Sequence, residues 1–215
     1  MNPKVEMLTI TGNIETWRSL GLIVMDDGTI PLHGTSLQIV SAPSDTRNSE
    51  FGIAGWALSG LPAAIPPDQS ELSIDGLRTS LVEPSAPLYA PHEMTATGLD
   101  HVVVLTPDLE RTSGAIADAT GCELKRIREV GSMRQGFHRI SPGGLIVELV
   151  ERPDVPPGDA EFWGIVIIVD DLDGVCAQLG PERISSPKDA VQPGRQIATV
   201  RGDVGLGLPV ALMTP

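Results

Sequence analysis

Few side chains in this sequence are suited to moving protons or gripping a ligand. His101 lies in Leu99-Asp-His-Val-Val-Val104, and Glu148 lies in Gly144-Leu-Ile-Val-Glu-Leu149. An imidazole and a carboxylate can serve as general acid and base, or as ligands for zinc, iron, manganese or nickel. A carboxylate flanked by Ile146 and Val150 also needs a partner, because an unpaired charge among apolar side chains is costly. His138 follows Phe137, and alternation along a strand sends one of the two inward. Arg134 and Arg139 could hold an anionic substrate through paired N–H donors, or simply keep an acidic protein in solution. No nucleophile elbow, Walker loop or Cys-x-x-Cys pair is present, and Gly205-Leu-Gly-Leu reads as a turn.

These residues sit on elements that occur twice. Leu99–Val104 and Trp163–Val169 are apolar, β-branched runs of strand length, each leading into an acidic helix start. A gapless alignment puts Asp108 over Asp171, Leu109 over Leu172, and Val147-Glu148-Leu149 over Val210-Ala211-Leu212. Residues 99–215 are therefore one β-α-β-β-β unit used twice. Helices are expected at 107–120, with Thr106 as cap, and at 171–179, with Gly121 and Gly180 as stops. Strands are expected at 122–129, 134–140 and 145–151 in the first copy. In the second they fall near 183–185, 196–201 and 208–213.

Residues 1–84 look like a shortened version of the same pattern: a strand at 4–12, a helix at 14–20 capped by Asn13, and strands at 22–25, 35–40 and 51–58. A polar loop (41–50), a Pro-rich stretch (61–67) and a hairpin over 72–82 complete it. Pro84, Pro87 and Pro91 mark a stiff linker over 85–98 between this unit and the domain at 99–215.

Composition narrows the classes. Aromatic residues are only 3% of the chain, so the core must be aliphatic, and the net charge is −13. That charge disfavours nucleic acid and anionic lipid. No apolar run approaches the roughly 20 residues that span a bilayer, and no leader-like segment opens the sequence. A soluble cytoplasmic protein is expected, with Cys122 and Cys176 as free buried thiols.

Paired β-α-β-β-β units carrying Asp100-His101-Val102-Val103, Pro107-Asp108-Leu109, Gly144–Leu149 and Val169-Asp170-Asp171-Leu172 resemble the vicinal oxygen chelate superfamily. Its members include glyoxalases, extradiol dioxygenases and bleomycin-resistance proteins. The resemblance implies an α+β fold in which curved mixed sheets wrap a cup, here in a two-domain member with a degenerate metal site. The implied ligand positions are His101, Glu148, Gly164 and Ala211, of which the last two carry no donor. In the N-terminal unit they are Met7, Gln38, Gly52 and Ser80. A small-molecule ligand is then expected without a full metal site, in a chain that could pair as a homodimer. His101 and Glu148 would be the catalytic pair, and Trp163, His138, Arg134 and Phe137 would bind the ligand. Gly164 would leave room in the cup, with Trp163 covering its rim. A metal-dependent lyase or dioxygenase, with His138 as a third ligand, is the alternative. A structural module with a filled cup is a third.

Overall fold

A computed structural model describes residues 2–41, 51–62 and 69–215. Most of the loop expected at 41–50 and of the Pro-rich stretch at 61–67 lies outside these residues. The N-terminal part contains β1 (Lys4–Thr11), α1 (Ile14–Arg18), β2 (Thr29–Ile30), β3 (Ser36–Val40), β4 (Gly52–Ser59), β5 (Glu71–Ile74) and β6 (Leu77–Leu81). It forms a six-stranded sheet of order β2-β3-β1-β4-β6-β5. The C-terminal part contains β7 (Ala96–Thr106), α2 (Leu109–Thr120), β8 (Arg126–Val130), β9 (Met133–Arg139), β10 (Ile146–Glu151), β11 (Glu161–Val169), α3 (Leu172–Leu179), β12 (Lys188–Asp189), β13 (Gln196–Thr199) and β14 (Val210–Met213). Its eight strands run β12-β13-β14-β11-β7-β10-β9-β8.

The repeat holds at the level of register. Val147 pairs with Val102 and Glu148 with Val103 across β10 and β7. Val210 pairs with Ile165 and Ala211 with Val166 across β14 and β11, the same offset of 63 residues. Helix starts repeat it too. Asp108 accepts from the Arg111 N–H, and Asp171 accepts from the Gly174 N–H, each at 2.9 Å. These aspartates, not Thr106 or Pro107, are at the caps. Each is non-helical, and its side chain reaches the third helical residue.

Local differences from the expected elements have identifiable causes. Residues 22–25 are not a strand, because the Ile23 N–H donates to His92 Nδ1 and the Met25 N–H to the Thr29 carbonyl. The strand expected at 122–129 begins only at Arg126, and 183–185 holds a single bridge, Ile184 to Val200. β7 starts at Ala96, so the end of the Pro-rich stretch is sheet. Residues 82–89 are exposed, whereas His92 and Met94 are buried.

One aliphatic core joins the two sheets, running from Leu8 and Trp56 through Met94 to Val104 and Leu212. Trp56 on β4 meets Phe162 on β11 edge-to-face at 5.3 Å. The β5–β6 turn docks on the other half: Asp75 takes Arg111 Nε at 2.8 Å, and the Ala160 N–H reaches the Asp75 carbonyl. Both cysteines are free and half-buried. Among the described residues no helix is long and apolar enough to cross a membrane.

Two buried histidines make the fold acid-sensitive. His92 accepts the Ile23 N–H at Nδ1 and donates from Nε2 to the Pro31 carbonyl at 2.8 Å. His138 bonds the Cys122 carbonyl and Ser113 Oγ. Burial pushes both pKa values below that of an ordinary histidine. The unfolded chain therefore binds more protons than the folded one below about pH 6.5, and stability falls from there toward the lowered folded pKa values. The thermal midpoint should drop between pH 7.5 and 5, above the window where carboxylates titrate, and His92→Gln should flatten the drop. A midpoint constant over that range would remove this assignment.

Candidate functional site

β7, β10 and β9 place their polar side chains around one cavity of about 670 Å³ on the C-terminal sheet. In the pairing of β11 with β7, Val166 faces His101 and Ile167 faces Leu99, so Asp100 is skipped. Consecutive strand residues normally face opposite sides; a bulge re-aims one of them. Here it brings Asp100 beside His101, with Oδ2 to Nδ1 at 2.7 Å. Arg195, just before β13, donates to the other Asp100 oxygen at 2.7 Å. Burial alone would raise the Asp100 pKa. The bonds from His101 and Arg195 outweigh it and hold the carboxyl below its ordinary value.

An ionised Asp100 fixes the proton of His101 on Nδ1, leaving Nε2 toward Glu148. His101 Nε2 lies 3.3 Å from Glu148 Oε2. A bare imidazole nitrogen and a carboxylate oxygen are both acceptors, so this contact is attractive only with a proton between them. Gln135 Nε2 donates to the other Glu148 oxygen at 2.5 Å. Its Oε1 is buried without a partner, an acceptor left over at the cavity. The result is a series, Arg195–Asp100–His101–Glu148–Gln135, that ends on open volume.

The other sequence candidates separate. Phe137 lines the cavity, with the Arg126 guanidinium 4.9 Å over its ring. His138 is among the residues around the cavity but is fully buried, with its ring nitrogens bonded to Ser113 of α2 and the Cys122 carbonyl. α2 thus claims one side of the Phe137–His138 alternation. Arg134 pairs with Glu110 and Glu151 and is not among the cavity residues. Arg139 does line the cavity.

Trp163 is also absent from the lining. It sits at the irregularity between Phe162 and Gly164, 42% exposed, with Arg152 6.0 Å from its ring. Nor does Gly164 leave room: a Cβ there would lie 2.7 Å from the Pro209 carbonyl oxygen, so neighbouring backbone occupies the space. The N-terminal unit repeats this arrangement. Its register makes Gly55, not Gly52, the counterpart of Gly164, and a Cβ on Gly55 would lie 2.8 Å from the Arg78 carbonyl oxygen. Gln38, the counterpart of Glu148, is bonded to Asp27 and Thr29.

This donor set does not fit the metal that the superfamily resemblance implies. A catalytic site of this kind uses about three protein ligands. Here His101 and Glu148 face each other, and Gly164 and Ala211 offer no donor atom. Among the described residues no cluster of three or more His, Cys, Asp or Glu side chains is arranged to hold a metal ion.

Sequence reasoning missed Asp100, Gln135 and Arg195 as members of the site. It also missed Lys125, Arg126, Arg128 and Lys188, which line the cavity. The only sequence signal for these was Lys125-Arg-Ile-Arg128, a basic cluster in an acidic chain.

No family model matches the chain, and no curated protein matches it. Among solved structures it is similar to a triple mutant of 4-hydroxymandelate synthase from Streptomyces coelicolor. That likeness has a TM-score of 0.70 at 17% identity and covers 100% of this chain and 93% of that one. A methylmalonyl-CoA epimerase from Mycobacterium tuberculosis matches at TM-score 0.49 and 18% identity, over 57% of this chain and 91% of that one. The first likeness spans both sheets and shows that this chain has the α+β fold the resemblance implied.

Proposed function

We propose that the cup of the C-terminal sheet binds a small organic molecule and exchanges a proton with it without a metal. The carrying observation is the series of contacts from Arg195 to Gln135, which places His101 Nε2 3.3 Å from a Glu148 carboxylate oxygen at the wall of a cavity of about 670 Å³. Cavities of that size suit drug-sized ligands. The Glu148 carboxylate can take a proton from a ligand O–H or C–H, leaving the ligand anion in the cup. Returning it reverses the step. Asp100 is a positioning residue that holds the imidazole tautomer and stabilises the imidazolium. Residues 1–84 form the structural half of this reading, residues 99–215 the working half, and 85–98 the connection between them.

The probe for this reading is 2-naphthol, whose emission distinguishes phenol from phenolate. Bound to the wild type it should show the phenolate band. Glu148→Gln should bind it comparably but lower the phenolate share roughly tenfold or more, the scale of a lost general base. Met213→Trp, which fills the cavity, should abolish binding. Failure to bind, or equal phenolate emission from Glu148→Gln, would overturn the proposal.

A further inference from the structure

The chain carries 15 Lys and Arg against 28 Asp and Glu. Five of those 15 cations, Lys125, Arg126, Arg128, Arg139 and Lys188, line the one cavity that holds His101 and Glu148. Only two acidic residues, Glu148 and Asp189, line it with them. Elsewhere six basic side chains, Lys4, Arg18, Arg111, Arg134, Arg152 and Arg195, sit in ion pairs, while Arg183 and Arg201 donate to backbone carbonyls. Among the described residues none of the five cavity cations makes one. Arg126 instead lies over Phe137, and Arg139 donates to the Gly144 carbonyl.

Their placement is two-sided. Arg126 and Arg128 alternate on β8, so both point from one edge strand to the same face of the sheet. Lys188 is on β12, the strand at the opposite edge. Between these edges the wall is apolar, with Phe137, Ile146, Ile197 and Met213, and the acid–base pair shares it. Five cations gathered around only two carboxylates repel one another on balance, and in a chain of net charge −13 they are not there for general solubility. A carboxylate needs a single arginine for a bidentate contact. Five unpaired cations on two walls match a group with more charge and more oxygens.

We propose that the ligand of this site has an apolar body and a phosphoryl-type dianionic head, held between β8 and β12 by these cations. The inference rests on the cup being the ligand site and adds the chemical class of what enters it. In this arrangement the head stays at the cationic walls while the body reaches Glu148.

The test compares 2-naphthyl phosphate, 2-naphthoate and 2-naphthol, three ligands with one body, on the full chain by calorimetric titration. The phosphate should bind at least about tenfold more tightly than the naphthol, with the carboxylate between them, as charge-assisted hydrogen bonds require. Raising salt from about 0.05 to 0.5 M should weaken the phosphate and leave the naphthol unchanged. The double variant Arg126→Gln/Arg128→Gln, on an exposed edge strand, should lose that advantage while still binding naphthol, and Lys188→Gln should lose part of it from the other side. Naphthol and naphthyl phosphate binding equally, or the double variant retaining the full preference, would overturn the anionic head and leave the cup standing. Neither ligand binding would overturn both.

Discussion

Trp56→Ala is expected to destabilise the protein by about 3–5 kcal/mol and to lower the stability of both sheets together. The indole is 2% exposed, donates to Thr79 Oγ1 at 2.6 Å, and meets the Phe162 ring at 71°. Its removal opens a cavity where the N-terminal sheet packs on the C-terminal one, and the relaxed chain cannot refill it with so few aromatics. The core is continuous across this contact, and the Asp75–Arg111 clasp reinforces it. Urea unfolding followed by backbone circular dichroism and by site-specific probes on β1 and β10 should therefore give coincident transitions, shifted equally in the variant. Separate midpoints for the two probes would show that the halves fold independently and that Trp56 matters only to the first.

Gly164→His is the second large effect. It restores a donor at a position where the superfamily resemblance puts a metal ligand, yet it should damage the protein instead of completing a site. The first atom of any side chain there falls 2.7 Å from the Pro209 carbonyl oxygen, on a buried strand. β14 must move away from β11, at a cost of about 1–3 kcal/mol or more. For a chain of this length that is roughly 2–12 °C in thermal midpoint. Gly164→Ala should show most of the same loss. Adding zinc or manganese should return none of it, although a metal at one hundred times its dissociation constant would contribute about 2.7 kcal/mol. A Gly164→His protein as stable as wild type that gains several degrees with one metal would show that the strands can part far enough to complete a metal site.

Much of the C-terminal half was legible because its two copies keep one register. Asp108 and Asp171 recur 63 residues apart as caps, and the strands they follow pair in step. What the alternation of side chains could not show is where it breaks. Skipping Asp100 turns that side chain toward His101, and the irregularity before Gly164 puts Trp163 outside the cavity. Both are single-residue register shifts without a residue signature. His138 and Phe137 could not be told apart from one strand alone; α2 decides between them by offering Ser113. Residues 82–89, around the prolines at 84 and 87, are exposed. The prolines carry no information about Met94, whose burial comes from the chain on either side.

The bond from Arg195 to Asp100 also has a mechanical meaning. β13 and β7 are three strand-to-strand steps apart in the sheet order, about 14 Å if the sheet were flat. Arg195 nevertheless touches Asp100 at 2.7 Å while its Nε holds the Thr214 carbonyl. The guanidinium is a cross-tie of the bowl: one side chain links the segment before β13, the chain just after β14 and β7, a connection that the strand ladder does not itself make between β13 and β7.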